Sequence, residues 1–310
     1  MPMMNTARIH EYGDTSVIRF EAVPRPQPAF GEVLVHVAAT SFNPTEAALR
    51  AGRLLEFFPA HLPYTLGWDV AGTVADACRG TEGFAVGDRV IGRLDSGGAA
   101  AEYVCAPAAG LVAASASVPL ATAAALPVAG LAAWQAVFEH GQVAAGQRVL
   151  VNGAGGGVGG FVTQLAKLAG AEVIATASPR STEAVLRQGA DHVIDYTAGP
   201  VGAALHGQVD ALLNLVPLSP PEAAAVAALV RPGGRIVSIA TPIEAAADAG
   251  VNAIHMVAHN DVTHLARLVA LVDAAALTID ISASRPLADL ADVHRLSTSG
   301  RIRGKVVIIP

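Results

Sequence analysis

Apolar positions in the middle of the chain fall into two alternating rhythms. Short continuous runs at 148–153, 172–177, 192–196, 209–216 and 235–240, with a sixth at 251–257, read as buried strands. The stretches between them, near 158–169, 181–188 and 219–230, carry helical patterns. Strand alternating with helix predicts an α/β fold with a doubly wound parallel sheet of the Rossmann kind, whose strands are covered on both faces. Residues 1 to about 120 differ. Short runs at 33–37, 70–74, 89–92 and 103–104 are broken by Gly and Pro turns without long helices, which predicts a small β-rich barrel. A helix from 262 to 275 and a strand at 305–309 are too little to fold alone. They are expected to return to the barrel, so that 1–120 with 262–310 form one domain and 121–261 is inserted between its parts.

The first strand of the inserted domain runs into Gly153-Ala154-Gly155-Gly156-Gly157-Val158-Gly159-Gly160, and a helical pattern follows at Phe161, Leu165 and Leu168. A G-x-G-x-x-G match falls on Gly155, Gly157 and Gly160. Strand, glycine turn and helix together let backbone N–H groups approach a pyrophosphate at a helix N-terminus, and this context separates the motif from a glycine-rich linker. Gly155, Gly156, Gly157 and Val158 are therefore expected to hold a dinucleotide. A site for NAD normally places an Asp or Glu about 20 residues further on, at the end of the second strand. This chain has Thr176, Ala177, Ser178, Pro179 and Arg180 there. With no carboxylate to repel a 2′-phosphate, and with Ser178 and Arg180 able to donate to one, Thr176, Ser178 and Arg180 are expected around the adenosine ribose and its phosphate, and NADPH is the expected cofactor. Ligands of open parallel sheets sit beyond the carboxyl ends of the strands. Tyr196, Asn214, Val216, Ile239, Ala240 and Thr241 occupy those ends.

Composition narrows the picture further. The chain has 310 residues, enough for two modest domains, and its 52% apolar content is inflated by alanine. Its alanine-rich stretches are interrupted by Pro, Gly or Glu, so no membrane span is expected. The first residues lack a basic and apolar signal region, from which a cytoplasmic location is expected. A net charge of −6 without a basic block disfavours nucleic acid as a partner. Two cysteines, Cys78 and Cys105, make neither a disulfide framework nor a four-cysteine zinc site, and read as small buried hydrophobes. His255, His259 and His264 are loosely spaced and lack a Cys or clustered carboxylate, so no metal is expected there.

Further segments extend the pattern over nearly the whole chain: Asn43-Pro44 with Arg50 and Gly52, Leu66-Gly67-Trp68-Asp69-Val70-Ala71-Gly72, Gly87-Asp88-Arg89-Val90, Ala101-Glu102-Tyr103, Leu126-Pro127 with Gly130-Leu131, Gln164-Leu165-Ala166-Lys167, Gly189-Ala190-Asp191, Pro232-Gly233-Gly234 and Gly304-Lys305-Val306-Val307. In this order they resemble the medium-chain dehydrogenase/reductase superfamily and, within it, the zinc-independent NADPH-dependent quinone oxidoreductases. The resemblance implies a GroES-like barrel for the first domain. Alcohol dehydrogenases of the superfamily carry a catalytic cysteine where this chain has Asn43 and Gly-His-Glu where it has Gly67-Trp68-Asp69, so the comparison implies no zinc. It also places Tyr196 beside adenine, and Ile239, Ala240, Thr241 and Met256 toward the nicotinamide half. Two positions depart from the family: the aromatic expected shortly after Asn-Pro is missing from Thr45-Glu46-Ala47-Ala48, and a threonine after Gly130-Leu131 is Ala132.

The resulting expectation is an NADPH-dependent oxidoreductase that moves hydride to a small-molecule quinone or α,β-unsaturated carbonyl. Asn43 would orient the nicotinamide or the substrate carbonyl, or else serve as a turn residue before Pro44. Tyr64 would line the pocket and supply a proton, with Trp68 as a second wall, or both would be barrel core. Pocket width depends on the loops at 53–64 and 242–257. An enoyl-thioester reductase of the same fold and a non-catalytic NADPH-binding redox sensor are the alternatives. The apolar sixth strand, 251–257, is expected to pair across a two-fold axis as a homodimer.

Overall fold

The computed structural model describes residues 2–56, 60–78, 80–245 and 249–310. It divides into two compact units: one runs to Val128 and resumes over Asn260–Ala275 and Ile279–Pro310, and the other comprises Ala129–His259 with Ala276–Thr278. The first unit thus extends past residue 120 to Val128. Val128 N–H donates to the Asp69 carboxylate at 2.7 Å, which fastens the segment after Leu120–Ala123 to the barrel.

The second unit is built on six strands, Arg148–Asn152, Glu172–Ala177, His192–Asp195, Val209–Asn214, Val230–Ser238 and Asn252–His255. All are parallel, and numbered in chain order they lie 3-2-1-4-5-6 across the sheet. Such an order reverses direction between its first and fourth strands and opens a crevice at their carboxyl ends. The apolar runs explain the burial: Val149, Leu150, Val151, Leu212, Leu213, Ile236 and Val237 are inaccessible or nearly so. Helices Gly159–Leu168, Thr182–Arg187 and Pro220–Ala227 connect the strands. The last ends sooner than expected, and Val230 already pairs with Val209 as the fifth strand begins. The sixth strand is also shorter than its apolar run, four residues at the sheet edge.

In the first unit, Glu32–Ser41 is the strand on which the barrel is assembled. It pairs antiparallel with Asp69–Ala77, Tyr103–Pro107 and Lys305–Ile309, and the last of these pairs in parallel with Ile281–Pro286. Asp69–Ala77 continues to Arg89–Arg93 and Leu111–Ala113. A smaller antiparallel sheet joins Ile18–Pro24, Met3–Ile9 and Tyr64–Thr65. Helices Pro44–Arg50, Val262–Asp273 and Leu290–Thr298 complete the unit. Cys78 and Cys105 are half-buried rather than buried, and burial pushes the Cys105 thiol up to about 11. Among the described residues no helix is long and apolar enough to cross a membrane.

Candidate functional site

The glycine turn has a division of labour that differs from the expected register. Gly153 turns the chain at a φ of +97°, a conformation open to glycine. Gly159 starts the helix Gly159–Leu168, and a Cβ on it would stand 2.4 Å from the Gly153 carbonyl oxygen and 2.6 Å from the Ala154 Cα. This is the close helix–turn approach, and it falls on Gly159. Gly160 instead faces the flexible amide of Gln188. A Cβ on Gly155 would meet the Ser181 side chain. Gly156 is exposed, and a Cβ there would touch only the Gly153 carbonyl oxygen, at 3.4 Å. The turn thus presents bare backbone at Gly156, flanked by half-buried Gly155, Gly157 and Val158, above a tightly packed base, which is the shape a pyrophosphate needs.

Beside the turn, Ser178 is buried and Arg180 exposed at the end of the second strand. The Ser178 carbonyl accepts from the Ser181 and Thr182 backbones, and Ser181 rather than Ser178 is the residue preceding the next helix. Tyr196 stands half-exposed after the third strand, with its N–H on the Ala177 carbonyl. At the end of that same strand the Asp195 carboxylate is taken by the Thr197 N–H and hydroxyl in a local turn.

Thr176 and Asn214, expected beside the ligand, are engaged by protein groups within the sheet. Thr176 Oγ1 accepts the Gly153 N–H at 2.8 Å and donates to Asn152 Oδ1 at 2.9 Å. Asn152 Nδ2 donates to Asn214 Oδ1 at 2.8 Å, and Asn214 Nδ2 donates to the Val216 carbonyl and to Ser238 Oγ, each at 2.9 Å. Ser238 Oγ donates to the Thr241 carbonyl at 2.6 Å. Both residues are fully buried and spent on this network. The sequence reading passes over Asn152 and Ser238, whose signal is a small polar residue that ends an apolar run. Beyond the network, Val216, Ile239 and Thr241 are half-buried, Ala240 is exposed, and Met256 is buried with its N–H on the Ser238 carbonyl.

In the barrel unit, Asn43 precedes the helix Pro44–Arg50 and is 4% exposed. Its amide nitrogen donates to the Ser41 carbonyl, to Glu46 at 3.1 Å and to Asp69 at 2.8 Å, and its oxygen accepts from Lys305 Nζ at 2.8 Å. Both ends of the amide are committed, so a role in orienting nicotinamide or substrate loses its geometric support. Asp69 also accepts from the Ser41 hydroxyl and lies 3.6 Å from Lys305. Glu46, unremarked in the sequence, accepts from the Gly67 and Trp68 N–H groups. Burial, with Asp69 adding to it, raises Glu46 to about 7, while burial lowers the Lys305 ammonium from its ordinary value.

Trp68 is 3% exposed and belongs to the barrel core with Phe42, Leu49 and Leu66, the alternative to a place as a pocket wall. Tyr64 both joins that core and lines a cavity of about 380 Å³ with Leu49, Pro63, Thr65, Asp95 and Gly98. Its hydroxyl accepts from Trp68 Nε1 at 2.8 Å, and burial raises it above the ordinary phenol value. Residues 57–59 and 246–248, within the two loops expected to set pocket width, lie outside the described residues. Among the described residues no group of three or more His, Cys, Asp and Glu is arranged to hold a metal ion.

Comparison with known proteins agrees with this architecture. Residues 29–116 match the alcohol dehydrogenase GroES-like domain, and residues 188–308 match a family described as zinc-binding dehydrogenase. The chain is 32% identical to a chloroplast envelope quinone oxidoreductase homolog of Arabidopsis thaliana over 99% of both chains. The quinone oxidoreductase of Coxiella burnetii superposes with a TM-score of 0.93 at 29% identity, covering both chains fully. The mycobacterial protein Rv1454c, solved complexed with NADPH, superposes with a TM-score of 0.86 at 27% identity, over 99% of this chain and all of its own. The chain belongs to the medium-chain dehydrogenase/reductase superfamily and, within it, to the quinone oxidoreductase family.

Proposed function

We propose that this oxidoreductase uses NADPH to reduce a quinone or an α,β-unsaturated carbonyl, without zinc. The observation that carries the reading is the bare backbone at Gly156 beside a second-strand end that offers Ser178 and Arg180 in place of a carboxylate. Gly155, Gly156, Gly157 and Val158 would hold the pyrophosphate, Ser178 and Arg180 the 2′-phosphate, and Tyr196 one face of the adenine. Val216, 239–241 and Met256 follow the fourth, fifth and sixth strands and would bound the nicotinamide half. Hydride donation is the chemistry of the bound cofactor, and the protein supplies binding and orientation.

The barrel cavity is the proposed acceptor pocket, with a flat aromatic wall at Tyr64. Because the Tyr64 oxygen receives the indole N–H, its own hydrogen is directed elsewhere, and burial, which raises its pKa, makes it a hydrogen-bond donor rather than a ready acid. It is therefore suited to hydrogen-bond the acceptor carbonyl, while water supplies the proton to the reduced product. Zinc independence rests on Lys305, whose ammonium lies against Asn43 and Asp69, two of the positions at which related dehydrogenases have Cys and Glu. A dication there would meet a resident cation. The sixth strand, Asn252–His255, is the sheet edge, and a homodimer paired along it would satisfy its free backbone groups.

Fluorescence titration with NADPH and NADH tests the cofactor. A charge-assisted contact to the 2′-phosphate favours NADPH by roughly tenfold or more, and equal affinity for NADH sinks the assignment. Turnover of a quinone and enone panel after exhaustive chelation tests the rest. Activity on enoyl thioesters alone selects that chemistry instead, tight binding without turnover selects a redox sensor, and loss of rate restored by zinc refutes zinc independence.

A further inference from the structure

Thr176, Asn152, Asn214 and Ser238 occupy one row of the parallel sheet. Asn214 is in register with Asn152 on one side and Ser238 on the other, and Thr176 follows Ala175, the partner of Val151. Residues in one row point to the same face, so four strands present small polar side chains side by side at their carboxyl ends. In each strand the two residues before that row are apolar: Leu150 and Val151, Ile174 and Ala175, Leu212 and Leu213, Ile236 and Val237. The hydrogen bonds between them all run one way. Gly153 N–H donates to Thr176, Thr176 to Asn152, Asn152 to Asn214, Asn214 to Ser238, and Ser238 to the Thr241 carbonyl.

The direction is forced at both ends. A backbone N–H can only donate and a carbonyl can only accept, so each hydroxyl and amide between them has one orientation that satisfies its neighbours. The four side chains are 6% exposed or less, so water does not replace a missing link. The termini are the informative parts: Gly153 begins the glycine turn, and Thr241 closes the turn that leaves the fifth strand.

We infer that these four residues are positioning residues, a one-way hydrogen-bond chain that sets the glycine turn and the 239–241 turn in fixed register across the sheet. This rests on the proposed dinucleotide site, whose pyrophosphate and nicotinamide halves lie over those two turns. It reassigns Thr176 and Asn214 from touching the ligand to holding what touches it. Chain and ligand would then be coupled at separate ends. Loss of Ser238 loosens the nicotinamide side, and loss of Thr176 loosens the pyrophosphate side.

The test pairs Ser238→Ala and Thr176→Val with the hydroxyl-keeping variants Ser238→Thr and Thr176→Ser. Binding is measured well below each melting temperature, with NADPH and with adenosine 2′-monophosphate, which keeps the 2′-phosphate but has neither a 5′-phosphate nor nicotinamide. Ser238→Ala is expected to bind NADPH roughly tenfold more weakly, and Ser238→Thr to restore most of the loss. Thr176→Val is expected to weaken NADPH similarly, with recovery in Thr176→Ser. In both cases adenosine 2′-monophosphate binding stays as in the unaltered protein. Unchanged NADPH affinity in folded Ser238→Ala and Thr176→Val, or equal loss of both probes, overturns the inference. Hydrogen exchange of the ligand-free protein gives an independent reading: the Gly153 amide should exchange faster in Thr176→Val, and an unchanged rate also overturns it. If the unaltered protein binds no dinucleotide, the proposed function fails, while the exchange experiment still decides whether the chain holds the turn.

Discussion

Lys305 Nζ lies 2.8 Å from Asn43 Oδ1, and this contact joins the strand Lys305–Ile309 to the turn before Pro44. The ammonium also faces Asp69 and the Phe42 carbonyl, so it is the cation of a buried cluster that includes two carboxylates. Lys305→Met is expected to destabilise the protein by about 3–5 kcal/mol, since it leaves carboxylates buried without their partner. It should also raise Glu46 further above about 7, because Lys305 is one of the groups holding that value down. Denaturant melts check the first expectation. Carboxyl NMR of labelled glutamate checks the second, and a downward shift would contradict it.

Acid should weaken the fold through His294. This imidazole is wholly buried, edge-on to Phe42, with Arg50 Nε donating to its Nδ1 at 3.3 Å. Burial first, and then the Arg50 charge, push it from 6.5 to about 3. Between those values the unfolded chain binds a proton that the folded chain refuses. Stability from this group is complete above pH 6.5 and falls as pH drops through the window, by roughly 1.4 kcal/mol per pH unit at most. Melts from pH 7 to 4 should show the decline, and His294→Leu should flatten it. An equally steep acid limb in the variant would place the cause elsewhere.

The two glycines of the turn separate folding from binding. Gly156→Val adds a side chain to an exposed position that has room for it, so the variant should melt as the unaltered protein does and yet fail to bind NADPH in a titration. Gly159→Val drives a Cβ into the Gly153 carbonyl and Ala154, and should lower the melting temperature whether or not nucleotide is present. Normal NADPH binding by Gly156→Val would remove the pyrophosphate from the turn.

The proposed dimer makes its own demand. Ile254 sits inside the edge strand opposite Val237, and Ile254→Pro disturbs the ladder there. Light scattering should show a dimer for the unaltered protein and a monomer or aggregate for the variant. An unaltered protein that stays monomeric at micromolar concentration refutes the interface.

The parallel sheet could be read from sequence because its strands are continuous apolar runs, a signal that burial on both faces enforces. Met3–Ile9 and Ile18–Pro24 carry no such signal, for the opposite reason. Thr6 is a buried polar residue whose hydroxyl donates to the Ala100 carbonyl, and Ile18–Pro24 is an edge strand with much of its surface exposed. The glycine fingerprint identified the turn but not which glycine faces the helix, since only the backbone path distinguishes Gly159 from Gly160. Asn43 and Thr176 read, one residue at a time, as polar groups near a ligand. Their actual partners, Lys305 and Asn152, lie far away in sequence, and hydrogen bonds of that kind leave no local pattern.

The 262 positions between Asn43 and Lys305 also dictate an order of assembly. During synthesis, strands Glu32–Ser41 and Asp69–Ala77 emerge early, carrying acidic groups whose counter-charge has not yet been made. The six-stranded unit, drawn mainly from Ala129–His259, has all of its strands available before Lys305 leaves the ribosome. The part of the protein translated first is therefore the part that finishes folding last, and its nascent form is a waiting half-barrel, exposed to chaperones until the returning strand arrives.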